Sequence, residues 1–158
     1  MTKRTLKIRK EMGMDPMIHK QLMEGELGKY ELLEKPSQLF QMIQLNPTGR
    51  WANYSRNVPM GKTVYGRPSQ CDYLLAKNSG VMLAGLAIKV CVMEQSGSVD
   101  EKYPYWIANM KAFPYRSILV LDGIGQRLDA VDWAKKQVDG YLVAFVTIDE
   151  LNEYLRRV

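Results

Sequence analysis

The chain has 158 residues, of which 46% are hydrophobic, and its formal net charge is +5. This length is enough for one core of ordinary size and too short for two comfortable domains, so we expect a single domain over residues 1–158. The three Trp, nine Tyr and many aliphatic residues exclude a disordered chain, because they offer enough buried surface to offset the entropy of ordering.

The chain starts with basic residues and no apolar stretch follows them, so we expect no secretory signal, no membrane-spanning segment and a cytoplasmic location. The early basic residues are Lys3, Arg4, Lys7, Arg9 and Lys10. They form either a solvated arm or an arm that contacts phosphates. Cys71 and Cys91 lie in apolar segments and His19 is the one histidine, which indicates reduced core thiols and excludes a zinc-type cluster.

The first third of the chain is predicted to be helical. Apolar residues recur with helical spacing over residues 14–30, which predicts an amphipathic helix. A second helical region over residues 32–45 is interrupted at Pro36 and resumes after Ser37 as the N-cap. We therefore predict an N-terminal helical region over about residues 1–46.

Strands are predicted next. Residues 50–58 alternate enough for a first strand, and residues 59–66 are expected to form a basic loop that contains Lys62. Residues 70–76 and 81–93 are apolar segments separated by Lys77-Asn78-Ser79-Gly80. Such turn residues between two strands predict an antiparallel hairpin.

Helices and strands alternate in the last third. The first predicted helix spans 99–112, with Ser98 and Glu101 as a capping box. A strand over 115–121 and a turn at 122–125 lead to a helix over 126–138 that stops at Gly140. A strand over 141–146 and a helix over 147–157 complete the prediction. Strands separated by helices are usually parallel. The sequence thus predicts an α/β fold with a mixed central sheet flanked by helices.

Three segments resemble the core of the PD-(D/E)XK nucleases, a superfamily that includes many restriction endonucleases and Holliday-junction resolvases. The first is Gln70-Cys71-Asp72, where the family places an acid on a core strand. The second is Ala87-Ile88-Lys89, where the family has an acid, any residue and then lysine. The third, residues 96–102, resembles the small-residue turn and helix start that follow the lysine. The resemblance covers residues 50–158 and implies a restriction-endonuclease-like core.

The resemblance implies a Mg²⁺-dependent DNA endonuclease, of the restriction type or a small nuclease subunit, in which Mn²⁺ can replace Mg²⁺. Asp72 and the backbone carbonyl of Ile88 would bind the metal, and Lys89 would position the attacking water and steady the phosphate. Hard cations prefer such oxygen ligands and lower the pKa of a bound water. A homodimer or a partner nuclease subunit is expected, since one such centre cuts one strand.

Position 87 departs from the family pattern, because Ala87 stands where the family has Glu or Asp. Three origins of this departure are open: an inactivating substitution, natural loss of catalysis, or relocation of the acid to Glu94, Asp100 or Glu101. A lysine inside an apolar strand is costly unless a partner or a cavity receives it, so this strand still looks built around an active centre.

Three alternatives compete with an active nuclease. A buried ion pair would account for Asp72 and Lys89 without any chemistry. A catalytically degenerate nuclease fold that binds nucleic acid or a partner subunit is the alternative function, which Ala87 favours. A small-molecule α/β protein would need a ligand motif, and residues 122–125 lack both the full glycine fingerprint and a Walker lysine.

Basic and polar residues near the predicted centre are the candidates for contacts with nucleic acid. They are Arg56, Lys62, Arg67, Ser98 and Lys102. Loops beside a nuclease centre meet the DNA backbone, although ordinary solvated surface charge is the competing interpretation. Tyr103, Tyr105 and Trp106 lie on one predicted helix and could stack on bases, but core packing is the default.

Overall fold

The computed structural model describes residues 23–45, 49–80, 83–92, 100–122 and 127–158. Its main elements are β1 (Glu31–Leu32), α1 (Pro36–Leu45), β2 (Asn53–Lys62), β3 (Pro68–Asn78), β4 (Leu83–Val92), α2 (Tyr103–Lys111), β5 (Arg116–Asp122), α3 (Leu128–Lys135), β6 (Leu142–Thr147) and α4 (Ile148–Arg157). No helix within these ranges is long and apolar enough to cross a bilayer.

The six strands form one mixed sheet in the order β1-β2-β3-β4-β5-β6. The pairs β2–β3 and β3–β4 are antiparallel, whereas β1–β2, β4–β5 and β5–β6 are parallel. Hairpins join the antiparallel strands, and a helix lies between the two strands of each parallel pair in the chain. The predicted mixed sheet, its antiparallel hairpin and its parallel later strands are confirmed.

Helices cover both faces of this sheet. On one face, here called the α2 face, buried side chains of α1, α2 and α3 pack together, among them Leu39, Met110 and Ala134. On the other, the α4 face, Leu151 packs in a cluster with Leu27. The central strand β4 is therefore apolar on both sides, which explains its nearly continuous hydrophobic sequence.

The N-terminal third differs from the all-helical prediction. Glu31–Leu32 forms a short strand parallel to β2. Pro36 begins helix α1 rather than interrupting one, because its fixed φ and missing N–H suit the first helical turn. The predicted N-cap at Ser37 is wrong for the same reason: the helix has already begun there. Instead, Gln38 Oε1 accepts the Lys35 N–H at 3.3 Å.

The predicted basic loop over residues 59–66 is wrong in its first half. Strand β2 continues to Lys62 and stays paired with β3, so that the connecting loop spans only residues 63–67. Pro59 is tolerated inside this strand because β1 pairs with β2 only at Asn53 and Tyr54. The missing N–H of a proline costs little where no neighbouring strand needs it.

Two helices differ from their predicted limits. Helix α2 begins at Tyr103 with Pro104 in its first turn, after a 3₁₀ turn at Asp100–Lys102. Glu101 therefore precedes the helix and cannot complete a capping box, while Ser98 lies outside the described residues. Helix α3 ends at Lys135, so Gly140 is not its stop; the intervening residues form turns.

Candidate active site at the fork of strands β3 and β4

Strands β3 and β4 separate at one end of their hairpin. Their pairing extends from Asn78 opposite Leu83 to Tyr73 opposite Ile88 and ends there. The next residue on β3 is Asp72, and the next on β4 is Lys89. The two charged residues singled out in the sequence therefore lie together at the point where the strands fork.

A change of direction in β2 and β3 accompanies the fork. Asn57 has a left-handed backbone with φ 49°, a conformation that asparagine tolerates better than most residues. Asn57 and Asp72 are both skipped in the β2–β3 register. Cys71 packs on the α2 face although Tyr73, two residues further, packs on the α4 face. Residues two apart normally share a face, so β3 twists at Asp72.

The Asp72 carboxylate lies between the separating strands. Its Oδ2 accepts the Val90 N–H at 2.7 Å, and Lys89 Nζ lies 3.8 Å from the same oxygen. The second distance is too long for a hydrogen bond. The Asp72 and Lys89 side chains are 31% and 29% exposed, so the pair is loosely coupled and solvent reaches it.

Lys89 also borders a cavity of about 190 Å³ between the β2–β3 hairpin and α2. The other lining residues are Thr63, Pro68, Ser69, Gln70, Tyr105, Trp106, Asn109, Met110 and Phe113. The strand lysine thus has both a partner and a cavity. Tyr103 is fully buried in the α2-face core, as core packing predicted, whereas Tyr105 and Trp106 are half-buried.

Ala87 is sealed in the core. It is 0% exposed, packs in the α2-face cluster and stands opposite Leu74 on β3 and Ser117 on β5. It shares a strand face with Lys89, two residues away, but it does not line the cavity. A carboxylate at this position would lose most of its hydration.

The candidate nucleic-acid contacts are not all placed alike. Arg56 forms an ion pair with Glu24, and Arg56 Nε and Glu24 Oε1 are both buried, so its charge is neutralised within the protein. Lys62, Arg67 and Lys102 are exposed.

The remaining candidates are Glu101, Glu94, Ser98 and the basic N-terminal residues. Glu101 is exposed and lines a separate cavity with α3 residues. Glu94, Ser98 and the basic N-terminal residues lie outside the described residues.

The two cysteines are core residues, as predicted. Neither forms a disulfide, and both are buried. Burial, followed by the nearby Asp72 charge, raises the pKa of the Cys71 thiol to about 12, so this thiol is unreactive at neutral pH. Cys71 therefore belongs to the scaffold that positions Asp72 rather than to the chemistry.

The donors at the fork suit a divalent cation only with help from a substrate. Within the described ranges, no group of three His, Cys, Asp or Glu side chains could hold a metal. Of the two predicted ligands, the Asp72 carboxylate lies at the fork, while Ile88 is paired with Tyr73 on β3 and Ile118 on β5. Mg²⁺ is often bound by one or two carboxylates, several waters and substrate phosphates. With one carboxylate, the fork is only part of a metal site, which waters and a substrate phosphate would have to complete.

Sequence reasoning missed two features of this region. Asn57 carries the left-handed backbone opposite Asp72, and Asn109 is a buried amide on α2 that holds the β2–β3 loop through the Val64 N–H at 2.9 Å. An asparagine inside an otherwise strand-like segment was the available signal for the first. No local sequence pattern indicates the role of Asn109, because its partner Val64 lies 45 residues away.

The chain was compared with known proteins. A search of solved structures finds the crystal structure of protein VC1899 from Vibrio cholerae, with 17% identity and a TM-score of 0.44 over 76% of this chain and 30% of that chain. The match thus spans less than a third of that protein. A search of curated proteins finds no match. A family model described as a PD-(D/E)XK nuclease superfamily domain matches residues 17–155, and the chain therefore belongs to the PD-(D/E)XK nuclease superfamily.

Proposed function

We propose that this chain is a Mg²⁺-dependent DNA endonuclease that hydrolyses phosphodiester bonds at the fork of β3 and β4. The observation that carries the proposal is that Asp72 and Lys89 lie together where the pairing of β3 and β4 ends. They are 3.8 Å apart and about 30% exposed, and they belong to a domain of the nuclease superfamily. We expect it to act in the cytoplasm, as a restriction-type enzyme or a small nuclease subunit.

The metal would be held by Asp72 and the Ile88 carbonyl, and Mn²⁺ would serve in place of Mg²⁺. When bound, the ion polarises the phosphate and lowers the pKa of a water. The Val90 N–H fixes the orientation of the Asp72 carboxylate through Oδ2 at 2.7 Å. Such pre-orientation matters because a ligand that is already placed loses less entropy when it binds.

Lys89 would bind the phosphate that is cut. Its ammonium lies near Asp72 but beyond hydrogen-bond distance, so it can turn to an incoming anion without first breaking a tight pair. A cation next to the reacting phosphate stabilises the charge that develops there, and the loss of one such group typically costs roughly 100- to 1,000-fold in rate.

The second acid of the family would come from another position. Because Ala87 is buried in apolar surroundings, we propose that the acid has moved to Glu94 or to the start of the following helical segment, at Asp100 or Glu101. Lys62, Arg67, Ser98 and Lys102 would contact the DNA backbone. Cutting both strands would need two centres, hence a homodimer or a partner subunit.

A second candidate function is a degenerate nuclease domain that binds nucleic acid or a partner subunit without cutting. One observation favours it: the fork has a single carboxylate among the described residues, and Ala87 is part of the core. The two functions differ in one measurable step, the breaking of a phosphodiester bond.

Supercoiled plasmid is the substrate that separates them. We expect the protein to convert it to nicked or linear DNA in Mg²⁺ or Mn²⁺ and not in EDTA, and we expect the purified Asp72→Asn variant to leave it intact. That variant is also the control for contaminating nucleases. A protein that binds DNA and Mn²⁺ yet never nicks the plasmid, alone or with a partner subunit, would support the degenerate domain instead.

A further inference from the structure

The β2–β3 loop borders the cavity beside Lys89 through Thr63. The Val64 N–H donates to Asn109 Oδ1 of α2 at 2.9 Å, and Asn109 is only 7% exposed. The Tyr65 and Tyr105 rings stack with their centroids 5.3 Å apart and their planes inclined by 20°. Two independent contacts therefore attach this loop to the helix.

The loop is also ordered by its own hydrogen bonds. The Thr63 N–H donates to Arg67 O at 2.7 Å and the Gly66 N–H donates to Thr63 O at 2.9 Å. Gly66 has φ 75°, which glycine adopts without strain. The cavity is thus preformed, and a ligand would bind without ordering its walls.

The lining has the chemistry of a site for a flat, partly polar ring. Tyr105, Trp106 and Phe113 offer aromatic surface, while Ser69 and Gln70 offer hydrogen-bonding groups. Pockets for drug-sized molecules have about 300–1,000 Å³, so 190 Å³ suits one ring system. A nucleobase has this combination of flat faces that stack and polar edges that hydrogen-bond.

Lys89 connects this cavity to the fork, because it lines the cavity and lies 3.8 Å from Asp72. We propose that the cavity binds one unpaired base of a DNA strand while Lys89 binds the adjoining phosphate. The proposal rests on the proposed nuclease function and specifies its substrate as single-stranded DNA or DNA with a base turned out of the helix. A paired base is stacked on both faces within the duplex and must leave the stack before its faces can meet the walls of a cavity of this size.

Two exposed basic residues fit the same strand. Lys62 ends β2 and Arg67 ends the loop, and both are exposed. They lie on the hairpin that borders the cavity, where phosphates flanking the bound base would pass. A cationic track beside an aromatic site is the usual arrangement of proteins that bind single strands.

The test is a binding experiment in EDTA, so that cleavage does not enter. Three DNA probes of equal length are compared: single-stranded oligothymidylate, the same strand with abasic sugars, and a perfect duplex. We expect the thymidylate strand to bind more tightly than the abasic strand by roughly 5- to 150-fold, the contribution of one stacked base. We also expect it to bind more tightly than the duplex.

A cavity-filling variant localises the effect. Ser69→Phe should reduce the preference for bases to near unity, whereas Ser79→Phe, in the turn at the other end of β3, should preserve it. If Ser69→Phe does not fold, Trp106 provides a second measurement. In the Trp51→Phe/Trp133→Phe background, its fluorescence should be quenched by the thymidylate strand and not by the abasic strand.

The outcomes separate this proposal from the nuclease function. The base site is overturned if the thymidylate and abasic strands bind equally, or if Ser69→Phe leaves the preference for bases unchanged. Neither result bears on the nuclease function, which the plasmid experiment tests separately. A preference for bases that Ser69→Phe removes supports the base site even where the plasmid is never cut. Occupation of the cavity by a sugar would appear as equal affinity for the two single strands.

Discussion

In the part of the chain that the structure describes, two lysine–aspartate pairs have similar exposure, Lys111–Asp139 and Lys89–Asp72. In the first, Lys111 Nζ lies 2.9 Å from Asp139 Oδ2, and the side chains are 30% and 42% exposed. In the second, Lys89 Nζ and Asp72 Oδ2 are 3.8 Å apart, at 29% and 31% exposed. The residue types are the same, but only the first pair is close enough to hydrogen-bond.

The surroundings of the two aspartates account for the difference. Asp139 Oδ1 accepts the Tyr141 and Leu142 N–H groups at 2.8 and 2.9 Å, while Oδ2 faces Lys111, so the carboxylate holds the turn that leads into β6. The hydrogen bond from Leu142, then Lys111, then the hydrogen bond from Tyr141, lower the pKa of Asp139 to about 2. This is a structural pair.

The Lys89–Asp72 pair has no comparable structural task. The Val90 N–H and the Lys89 ammonium both face Oδ2 of Asp72, and the lysine borders a cavity instead of closing on its partner. Geometry, and not residue type, thus distinguishes a pair that stabilises the fold from a pair that is available to a substrate. Perturbing the two pairs in parallel tests this distinction.

The largest expected effect comes from adding a second carboxylate on the face of Lys89. Ala87→Glu should lower the free energy of unfolding by roughly 3 kcal/mol or more, because it places a charge in an apolar core. Ala84→Glu is the matched control, since Ala84 is half-buried on the same strand and opposite Lys77. Urea denaturation measures both. An Ala87→Glu protein of wild-type stability that cuts DNA faster would restore position 87 as the acid site.

Neutralising one aspartate of each pair should separate chemistry from stability. We expect Asp72→Asn to slow plasmid cleavage by about 100-fold or more, and to raise the Mn²⁺ concentration needed for half-maximal rate, because the metal loses its carboxylate. Asp139→Asn should cut at the wild-type rate at neutral pH. If both variants lose cleavage activity to the same extent, the two pairs differ only in their Nζ–Oδ2 distance and not in their role.

Acid should reveal how the Lys111–Asp139 pair stabilises the fold. The folded pKa of Asp139, about 2, lies below its ordinary value of 3.8, so between these values the unfolded chain binds more protons. The stabilisation is present above about pH 4 and is lost as the pH falls toward 2. Thermal unfolding from pH 5 to pH 2 should show a shallower decline for Asp139→Asn than for wild type. Parallel curves would contradict the assignment.

The smallest effects are expected at the surface. Lys62→Ala and Arg67→Ala should each weaken DNA binding moderately and reduce the slope of log affinity against log salt by about 0.7 for single strands. Lys135→Ala, an exposed lysine of α3, is the control and should leave the slope unchanged. Filter binding across a salt series measures all three, and unchanged slopes for the hairpin variants would remove them from the interface.

The sequence predicted the parts of the fold that depend on local patterns. Alternation of strands and helices after residue 100 indicated the parallel strands, and the turn residues Asn78-Ser79-Gly80 indicated the antiparallel pairing, because both depend on neighbours in the chain. The element boundaries that were predicted wrongly depend on partners distant in the sequence. Strand β2 passes Pro59 because β3 pairs with it, and Glu31–Leu32 is extended because β2 lies beside it.

The same division holds for the site. Asp72 and Lys89 were predicted from the resemblance of their two strand segments to the nuclease family, and the structure places them together. The Glu24 partner of Arg56 and the cavity that receives Lys89 arise from packing between elements far apart in sequence. A pattern within a strand cannot indicate which helix will cover it.

The most direct test of the central claim compares the two lysines in plasmid cleavage under single-turnover conditions with Mg²⁺ or Mn²⁺. Lys89→Ala should cut roughly 100- to 1,000-fold more slowly than wild type, whereas Lys111→Ala, which loses a structural contact, should cut at the wild-type rate at a temperature where it remains folded. A folded Lys89→Ala protein that cuts as fast as wild type would contradict the assignment of the fork as the active site.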